Sequence, residues 1–228
     1  MENPPLRARI LETVIRKSTL KQRVFDNTFA TFNLLKETLL EMASELDDQL
    51  EGHLDRRVRI EYRDRGKFEA QLQVANDVLI FQMHTDVFDF DAQHPVRRTP
   101  YVGADPANAY CGVINIYNFL SDSFKFNRNA DEGYLIGRLF INREHRYFVE
   151  GKGQSSVRAA DFGSGEIGRD ALIRVAEEAI AFALDFDLLT APYETLARVT
   201  VDQFNTKMDN SKFVTGKRLG REYDTQDI

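Results

Sequence analysis

The sequence of 228 residues contains no tryptophan, a single cysteine and no long apolar run. One cysteine, Cys111, cannot form an internal disulfide and cannot assemble a thiolate metal site alone, which excludes a disulfide framework. No stretch approaches the ~18 apolar residues of a membrane span, and residues 1–30 lack the apolar segment of a signal peptide. We therefore expect a cytoplasmic protein with no membrane segment, in which Cys111 is a small buried core side chain.

An excess of positive charge is also missing, because 36 acidic residues outnumber 30 basic ones and the net charge is -6. The charges are nevertheless separated near the N-terminus, where a basic arm at residues 6–23 precedes an acidic block at residues 37–55. The basic arm carries Arg7, Arg9, Arg16, Lys17, Lys21 and Arg23 against a single acid, Glu12. The acidic block carries Glu37, Glu41, Glu45, Asp47, Asp48, Glu51 and Asp55 without any lysine or arginine. The N-terminal region is therefore strongly bipolar.

Apolar side chains at helical spacing over residues 6–50 predict a long N-terminal amphipathic helix. Its seam consists of Phe25, Phe32, Leu35, Leu39, Met42 and Leu46, interrupted only by the polar Thr28. Two antiparallel copies could bury this seam and set each basic arm against the other copy's acidic block, which predicts self-association as a homodimer. Alternatively, the seam packs on the protein's own sheet and the charges meet basic residues of the first hairpin. The charge pattern leaves both possibilities open.

The same helix is expected to break or kink near Ser18. Extending the seam backwards places two polar residues on it, Ser18 and Lys21, and the neighbouring residues have the form of a capping box. The pattern therefore predicts two helices, at about 7–17 and 20–50.

After Gly52 the pattern changes to the alternation that is typical of β-strands. Strands are predicted at residues 58–62, 68–74, 78–90, the first half of 111–124, and in a hairpin at 133–151. Helices follow at 167–187 and from Pro192. Local pairing of these segments predicts an α+β fold, with an antiparallel meander of about five to six strands and C-terminal helices packed on it. We divide the chain into an N-terminal helical segment at 1–52, an α+β domain at 53–210 and a polar tail at 211–228.

Glycines at 163, 165 and 168 have a spacing found at dinucleotide sites, and a predicted helix follows them. Such a site also needs a preceding parallel strand and an acidic residue at the end of the next strand, which the pattern lacks. A flexible loop that leads into the helix is the favoured interpretation of these glycines.

Five potential metal ligands lie within residues 84–94, but alternation along a strand points their side chains to both faces of the sheet. No metal and no cofactor is therefore predicted.

The candidate ligand-binding site comprises His84, Asp86, Arg97, Arg98 and Tyr101. The histidine and the carboxylate can act as general acid and base, while the arginines of the 91–109 loop can hold an anionic group. A loop of this length is often functional. These residues define one alternative function, a small enzyme acting on an anionic substrate, although no catalytic residue is identified.

The leading hypothesis is a non-enzymatic binding or scaffolding module. It self-associates through the helical seam and binds a protein or a small ligand through its sheet face or the 91–109 loop. A further alternative is nucleic-acid binding, because residues 124–152 interleave aromatic and basic side chains in the manner of some RNA-binding sheets. The acidic net charge makes a nucleic-acid partner the least favoured of the three.

Overall fold

The computed structural model describes residues 5–52, 55, 58–129, 131–151, 158–186, 193–198 and 200–201. The helices are α1 (Leu6–Leu50), α2 (Pro100–Ala104), α3 (Ser121–Lys125), α4 (Arg169–Leu184) and α5 (Tyr193–Leu196). The strands are β1 (Ile60–Asp64), β2 (Glu69–Val74), β3 (Asp77–Met83), β4 (Cys111–Leu120), β5 (Tyr134–Asn142) and β6 (Tyr147–Gly151). Within these ranges no helix combines the length and the apolarity needed to cross a lipid bilayer.

The six strands form one antiparallel sheet in sequential order, which confirms the predicted α+β meander. Strand alternation gives the sheet two different faces. Met83, Ile114, Leu139 and Val149 lie in one cross-strand row on the face that α1 and α4 cover. The predicted hairpin at 133–151 is confirmed as β5 and β6.

The main core lies between this face of the sheet and the two long helices. From Val24 to Ala43, α1 buries one stripe of side chains, and α4 adds Leu172, Val175 and Ala176. The helix predicted at 167–187 is therefore confirmed as a core element. The second half of α1 belongs to the same core as the sheet.

A second, smaller hydrophobic cluster lies on the opposite face of the sheet, beneath residues 88–110. Its buried members are Val96, Val102, Ala109, Cys111, Val113, Phe140, Phe148 and Phe162. Cys111 is fully buried there, as expected, and burial, with a smaller contribution from Asp89, raises the pKa of its thiol well above the ordinary value.

The 91–109 segment is more regular than the sequence analysis predicted, because each of its three prolines begins a helical turn. The side chains of His94, Thr99 and Asp105 accept hydrogen bonds from the backbone N–H groups two or three residues later, at 3.3, 3.3 and 2.9 Å. A proline follows each of these caps, in the first helical position, where its missing N–H costs nothing. The segment is therefore a chain of short capped turns that covers the second cluster.

Two predicted boundaries need correction, and the structure resolves one ambiguous segment. One continuous helix, α1, runs through Ser18, so the predicted break is wrong. The third strand ends at Met83 and not near residue 90, because the chain bends at residues 85–86 and returns to the sheet only through an isolated bridge between Phe88 and Cys111. The ambiguous segment 111–124 is a strand as far as Leu120 and then the short helix α3. Pro192 and the 211–228 tail lie outside the described residues.

Candidate functional site

A cleft of about 860 Å³ opens between the start of α1 and residues 89–110. The first buried side chain of α1 is that of Val24, so the basic arm extends beyond the sheet and forms one wall of the cleft. The described lining residues are Ile15, Arg16, Lys17, Thr19, Leu20 and Arg23 from α1, Asp89, Arg97, Asp105, Pro106, Ala107 and Tyr110 from the opposite wall, and Arg143 from the β5–β6 turn. Three chain segments that are far apart in sequence therefore meet at a single concave surface.

Two asparagines join the walls of the cleft. Asn27 on α1 donates its side-chain amide to the carbonyls of Asn142 and Arg143, at 3.2 and 2.8 Å. The fully buried Asn142 side chain donates to the Tyr101 hydroxyl at 2.9 Å and to the Asn108 carbonyl at 3.2 Å. Buried hydrogen bonds of this kind fix geometry, because breaking one leaves a polar group without water. The hairpin turn is thereby tied both to α1 and to the proline-rich segment.

Arg97 and Arg143 are held in place by acidic neighbours within the cleft. Arg97 pairs with Asp89, and its Nε and Nη2 atoms also donate to the Phe90 carbonyl at 3.2 and 3.1 Å. Arg143 pairs with Asp105 through Nη2. The two arginine side chains are 25% and 22% exposed, so their remaining N–H groups lie in a partly desolvated site, where a bound anion interacts more strongly than at an open surface.

Asp105 stays ionised because two hydrogen bonds favour its charged form. The backbone N–H of Ala107 donates to it at 2.9 Å, and Arg143 donates to its other oxygen. The Ala107 bond, followed by the Arg143 bond, holds the pKa of Asp105 below its ordinary value. This carboxylate is a weak base and serves to position Arg143.

The α1 wall supplies three further cations: Arg16, Lys17 and Arg23. Within the described part of the chain, none of these three side chains has a hydrogen bond or an ion pair. Together with Arg97 and Arg143, five cationic side chains face two carboxylates across the cleft. The site is therefore electropositive although the whole chain carries a net charge of -6.

The five residues of the predicted ligand site do not form one site, and only Arg97 lines the cleft. His84 is exposed, packs edge-on against Phe88 with ring centroids 4.8 Å apart, and accepts the backbone N–H of Asp86 at 3.0 Å. His84 and Asp86 thus form a local turn, with the nearest side-chain approach between them 3.9 Å. Arg98 is exposed and has no partner among the described residues.

Tyr101, the last of the five, is a structural residue at the edge of the second cluster. Its hydroxyl donates to Glu144 at 2.6 Å, and its ring meets Phe162 edge-on at 5.3 Å. Burial, followed by the Glu144 hydrogen bond, raises the pKa of Tyr101 to about 12. The ring also packs against Gly163, which has a positive φ of 101°.

The other motif candidates have structural explanations. A short 3₁₀ turn (Ala159–Asp161) precedes the glycines at 163, 165 and 168 where a dinucleotide site needs a strand. In the described part of the chain, no group of three or more histidine, cysteine, aspartate or glutamate side chains is arranged to hold a metal ion.

The predicted self-association seam lies within the protein's own core. Phe32, Leu35, Leu39 and Met42 are buried, and Phe25 and Leu46 are partly buried against the same cluster. A second copy cannot reach these side chains unless α1 leaves the sheet. The seam is therefore the contact between α1 and its own sheet, and any contact with a second copy must use another face of the helix.

The aromatic and basic residues of 124–152 do not form a stacking surface for nucleic acid. Phe140, Tyr147 and Phe148 are buried in the two clusters, on opposite faces of the sheet. Arg138, Arg143 and Arg146 form ion pairs with Glu150, Asp105 and Glu166. Among the aromatic side chains described in this range, only Phe124 and Phe126, at the end of the sheet, are exposed.

Sequence reasoning missed most of the cleft. The bipolar charge pattern identified the basic arm, but nothing in the local sequence indicated that Arg143, in a hairpin turn, would face it. The role of Asn27 was not predicted either, because a single polar residue in an amphipathic helix has no distinctive spacing.

No protein-family model matches the chain, and no characterised protein or solved structure shows detectable similarity to it.

Proposed function

We propose that the protein is a non-enzymatic binding module that holds a small anionic ligand in the cleft between the basic arm and residues 89–110. One observation carries this proposal: in a cavity of about 860 Å³, five cationic side chains face two carboxylates. The volume lies within the ~300–1,000 Å³ that is typical of small-molecule pockets. Ile15, Leu20 and Pro106 add apolar wall, which suits a carboxylate or phosphate attached to a nonpolar group.

The fixed arginines support binding. Arg97 and Arg143 are positioned by Asp89 and Asp105 before any ligand arrives, so a ligand loses little free energy in ordering them. Planar guanidinium groups with spare N–H donors match the geometry of carboxylate and phosphate oxygens.

The chemistry of the lining supports binding over catalysis. Among the described lining residues there is no histidine or cysteine, and both carboxylates are engaged by arginines. An acid-base catalyst needs a pKa near the working pH, whereas the pKa of Asp105 is lowered. The cytoplasm remains our proposed location, because a single buried thiol suits a reducing compartment.

Calorimetric titration with tripolyphosphate and with citrate tests the proposal, using one phosphate and one carboxylate probe. Arg23→Gln removes a cleft cation that has no partner in the described chain, so its fold should be unaffected. We expect this variant to bind about five- to tenfold more weakly, which corresponds to about 1–1.4 kcal/mol, the net contribution of one typical hydrogen bond. Arg9→Gln is the matched control, since Arg9 is also an exposed arginine of α1 but does not line the cleft.

Failure of both probes to bind, or equal weakening by Arg23→Gln and Arg9→Gln, would contradict the proposal. A single-stranded oligonucleotide is included as a third probe. If it binds more tightly than tripolyphosphate and depends equally on Arg23, the cleft is a nucleic-acid site and the small-ligand proposal is wrong. Binding through phosphates also predicts affinity that falls as salt is raised.

A further inference from the structure

The basic arm has a second, uncovered surface that is apolar. Five large aliphatic side chains of its first turns are more than half exposed: Leu6 (71%), Ile10 (52%), Leu11 (56%), Val14 (54%) and Ile15 (67%). The residues at 5–19 are all exposed, so no described part of the chain covers this stretch. Scattered exposed leucines are ordinary, but a contiguous aliphatic patch on a projecting helix is typical of a docking surface.

The arm and the acidic block cannot neutralise each other within one molecule. The arm carries six basic residues and one acidic residue, a net charge of +5, and the acidic block carries seven acids and no lysine or arginine. Both blocks lie largely on the single continuous helix α1. Within α1 the basic residues centre near residue 15 and the acidic residues near residue 44, and these points are about 44 Å apart at about 1.5 Å per residue. The two charge blocks therefore cannot pair with each other within one molecule, whereas an antiparallel second copy can set each block beside the opposite one.

The protein's own basic residues neutralise the acidic block only in part. Arg169 of α4 contacts Glu37 and Glu41, which relieves the repulsion between two acids one turn apart. Glu45 and Asp48 are exposed and have no ion pair within the described residues. Leu40, which lies between Glu37 and Glu41 in the sequence, is 54% exposed and points away from the core. The outward face of the acidic half therefore also combines an apolar side chain with acids that have no ion pair among the described residues.

We propose that this surface docks a second copy of the chain, with the two α1 helices antiparallel. At about 100° per residue, Leu11, Ile15 and Leu40 lie within about 40° of one another around the helix. A two-fold axis between the copies therefore places Leu11 and Ile15 of each copy against Leu40 of the other. The same arrangement sets each basic arm beside the other copy's acidic block. The buried core seam is not disturbed, because this contact uses the outward face of α1.

Cysteine crosslinking tests the antiparallel contact directly. Cys111 is fully buried, so a cysteine introduced on the helix surface is the reactive thiol. Leu11→Cys and Leu40→Cys chains are made separately, tagged differently, mixed and treated with a short bismaleimide. We expect the mixture to give a covalent dimer that contains one chain of each kind, while each variant alone gives little. Crosslinking of Leu11→Cys with itself would indicate that the arms pair with each other and would overturn the antiparallel proposal.

Sedimentation velocity over a range of concentrations supplies the second measurement. We expect the wild-type protein to dimerise, and Leu11→Asp or Leu40→Asp to raise the dimer dissociation constant at least about tenfold, because each places a charge in an apolar contact. Leu184→Asp is the control, since Leu184 is similarly exposed, at 52%, but lies at the end of α4.

A wild-type protein that stays monomeric at all concentrations would overturn the proposal, and so would a monomer that binds anionic lipid vesicles through the arm. Neither Leu11 nor Leu40 lines the cleft, so Leu11→Asp and Leu40→Asp remove no ligand contact, and the oligomeric state is measured without ligand.

Discussion

Gly112 determines how closely α1 approaches the sheet. A Cβ atom at this position would lie 2.2 Å from Thr28 Oγ1 and 2.9 Å from Thr28 Cβ, which is far inside ordinary contact. We expect Gly112→Ala to lower the free energy of unfolding by about 1–3 kcal/mol, because the core must shift to admit the methyl group. Denaturant unfolding measures the change. Gly165→Ala, where nothing lies within 4 Å, is the control and should have little effect.

Thr28 provides an internal check on this explanation. Its hydroxyl donates to the Val24 carbonyl at 2.7 Å, which holds the side chain against Gly112. Thr28→Ala removes Oγ1 and Cγ2, so it should recover part of the loss caused by Gly112→Ala in the double variant. If the two losses simply add, the close approach at Gly112 is not the cause of the destabilisation.

Single residues also show why the candidate site was only partly predictable. Arg97 was identified because an arginine in a long loop suggests anion binding, and it does line the cleft. His84 and Tyr101 were grouped with it because they are close in sequence. The His84 ring instead accepts the backbone N–H of Asp86 two residues later, whereas the Tyr101 hydroxyl donates to Glu144 in the β5–β6 turn. Residues that are close in sequence share a site only if the backbone between them points their side chains to the same place. Between residues 84 and 101 the backbone turns several times.

Whole elements were predicted more reliably, because they depend on periodicity repeated over many residues. The six strands and the two long helices follow apolar spacing that no single substitution conceals. The predicted break at Ser18 failed for a physical reason. Ser18 and Lys21 occupy seam positions, but α1 does not bury a side chain there and first does so at Val24. Polar residues on the seam therefore mark the point where the helix leaves the core.

A proline at Ser18 tests this view of α1. In a helix interior, proline costs about 3 kcal/mol through the lost hydrogen bond and its clash with the preceding turn. Because residues 5–19 are all exposed, we expect Ser18→Pro to unfold the arm and leave the core intact. Circular dichroism should lose the helical signal of about a dozen residues, while the free energy of unfolding changes by less than about 0.5 kcal/mol. The measurement uses a protein concentration at which the wild type is monomeric.

Ser18→Ala is the control for this variant, since alanine keeps the helix intact. A fall of about 3 kcal/mol in the free energy of unfolding for Ser18→Pro would show that the arm contributes to the folding core. That result would also contradict its description as a free docking surface.

At the scale of the whole molecule, the sheet separates the main core from the cluster that supports the proposed binding cleft. The face under α1 and α4 holds the larger core, whereas the opposite face carries the smaller cluster beneath residues 88–110. That smaller cluster supports the segment that carries Arg97 and Asp105. The cleft wall therefore depends on packing that lies across the sheet from the main core.

Two buried valines allow the roles of the main core and of the smaller cluster to be compared. Val96 is 0% exposed in the smaller cluster, next to Arg97, and Val175 is 3% exposed on α4 in the main core. Each valine-to-alanine change removes the same two methyl groups, and we expect each to cost about 1–3 kcal/mol in unfolding free energy. Only Val96→Ala should also weaken tripolyphosphate binding, by about threefold or more, because the cavity it leaves relaxes the wall that pre-positions Arg97. Calorimetry at a temperature well below the unfolding transition compares the tripolyphosphate affinities of the two variants. Equal losses of affinity would show that the smaller cluster has no special part in shaping the cleft.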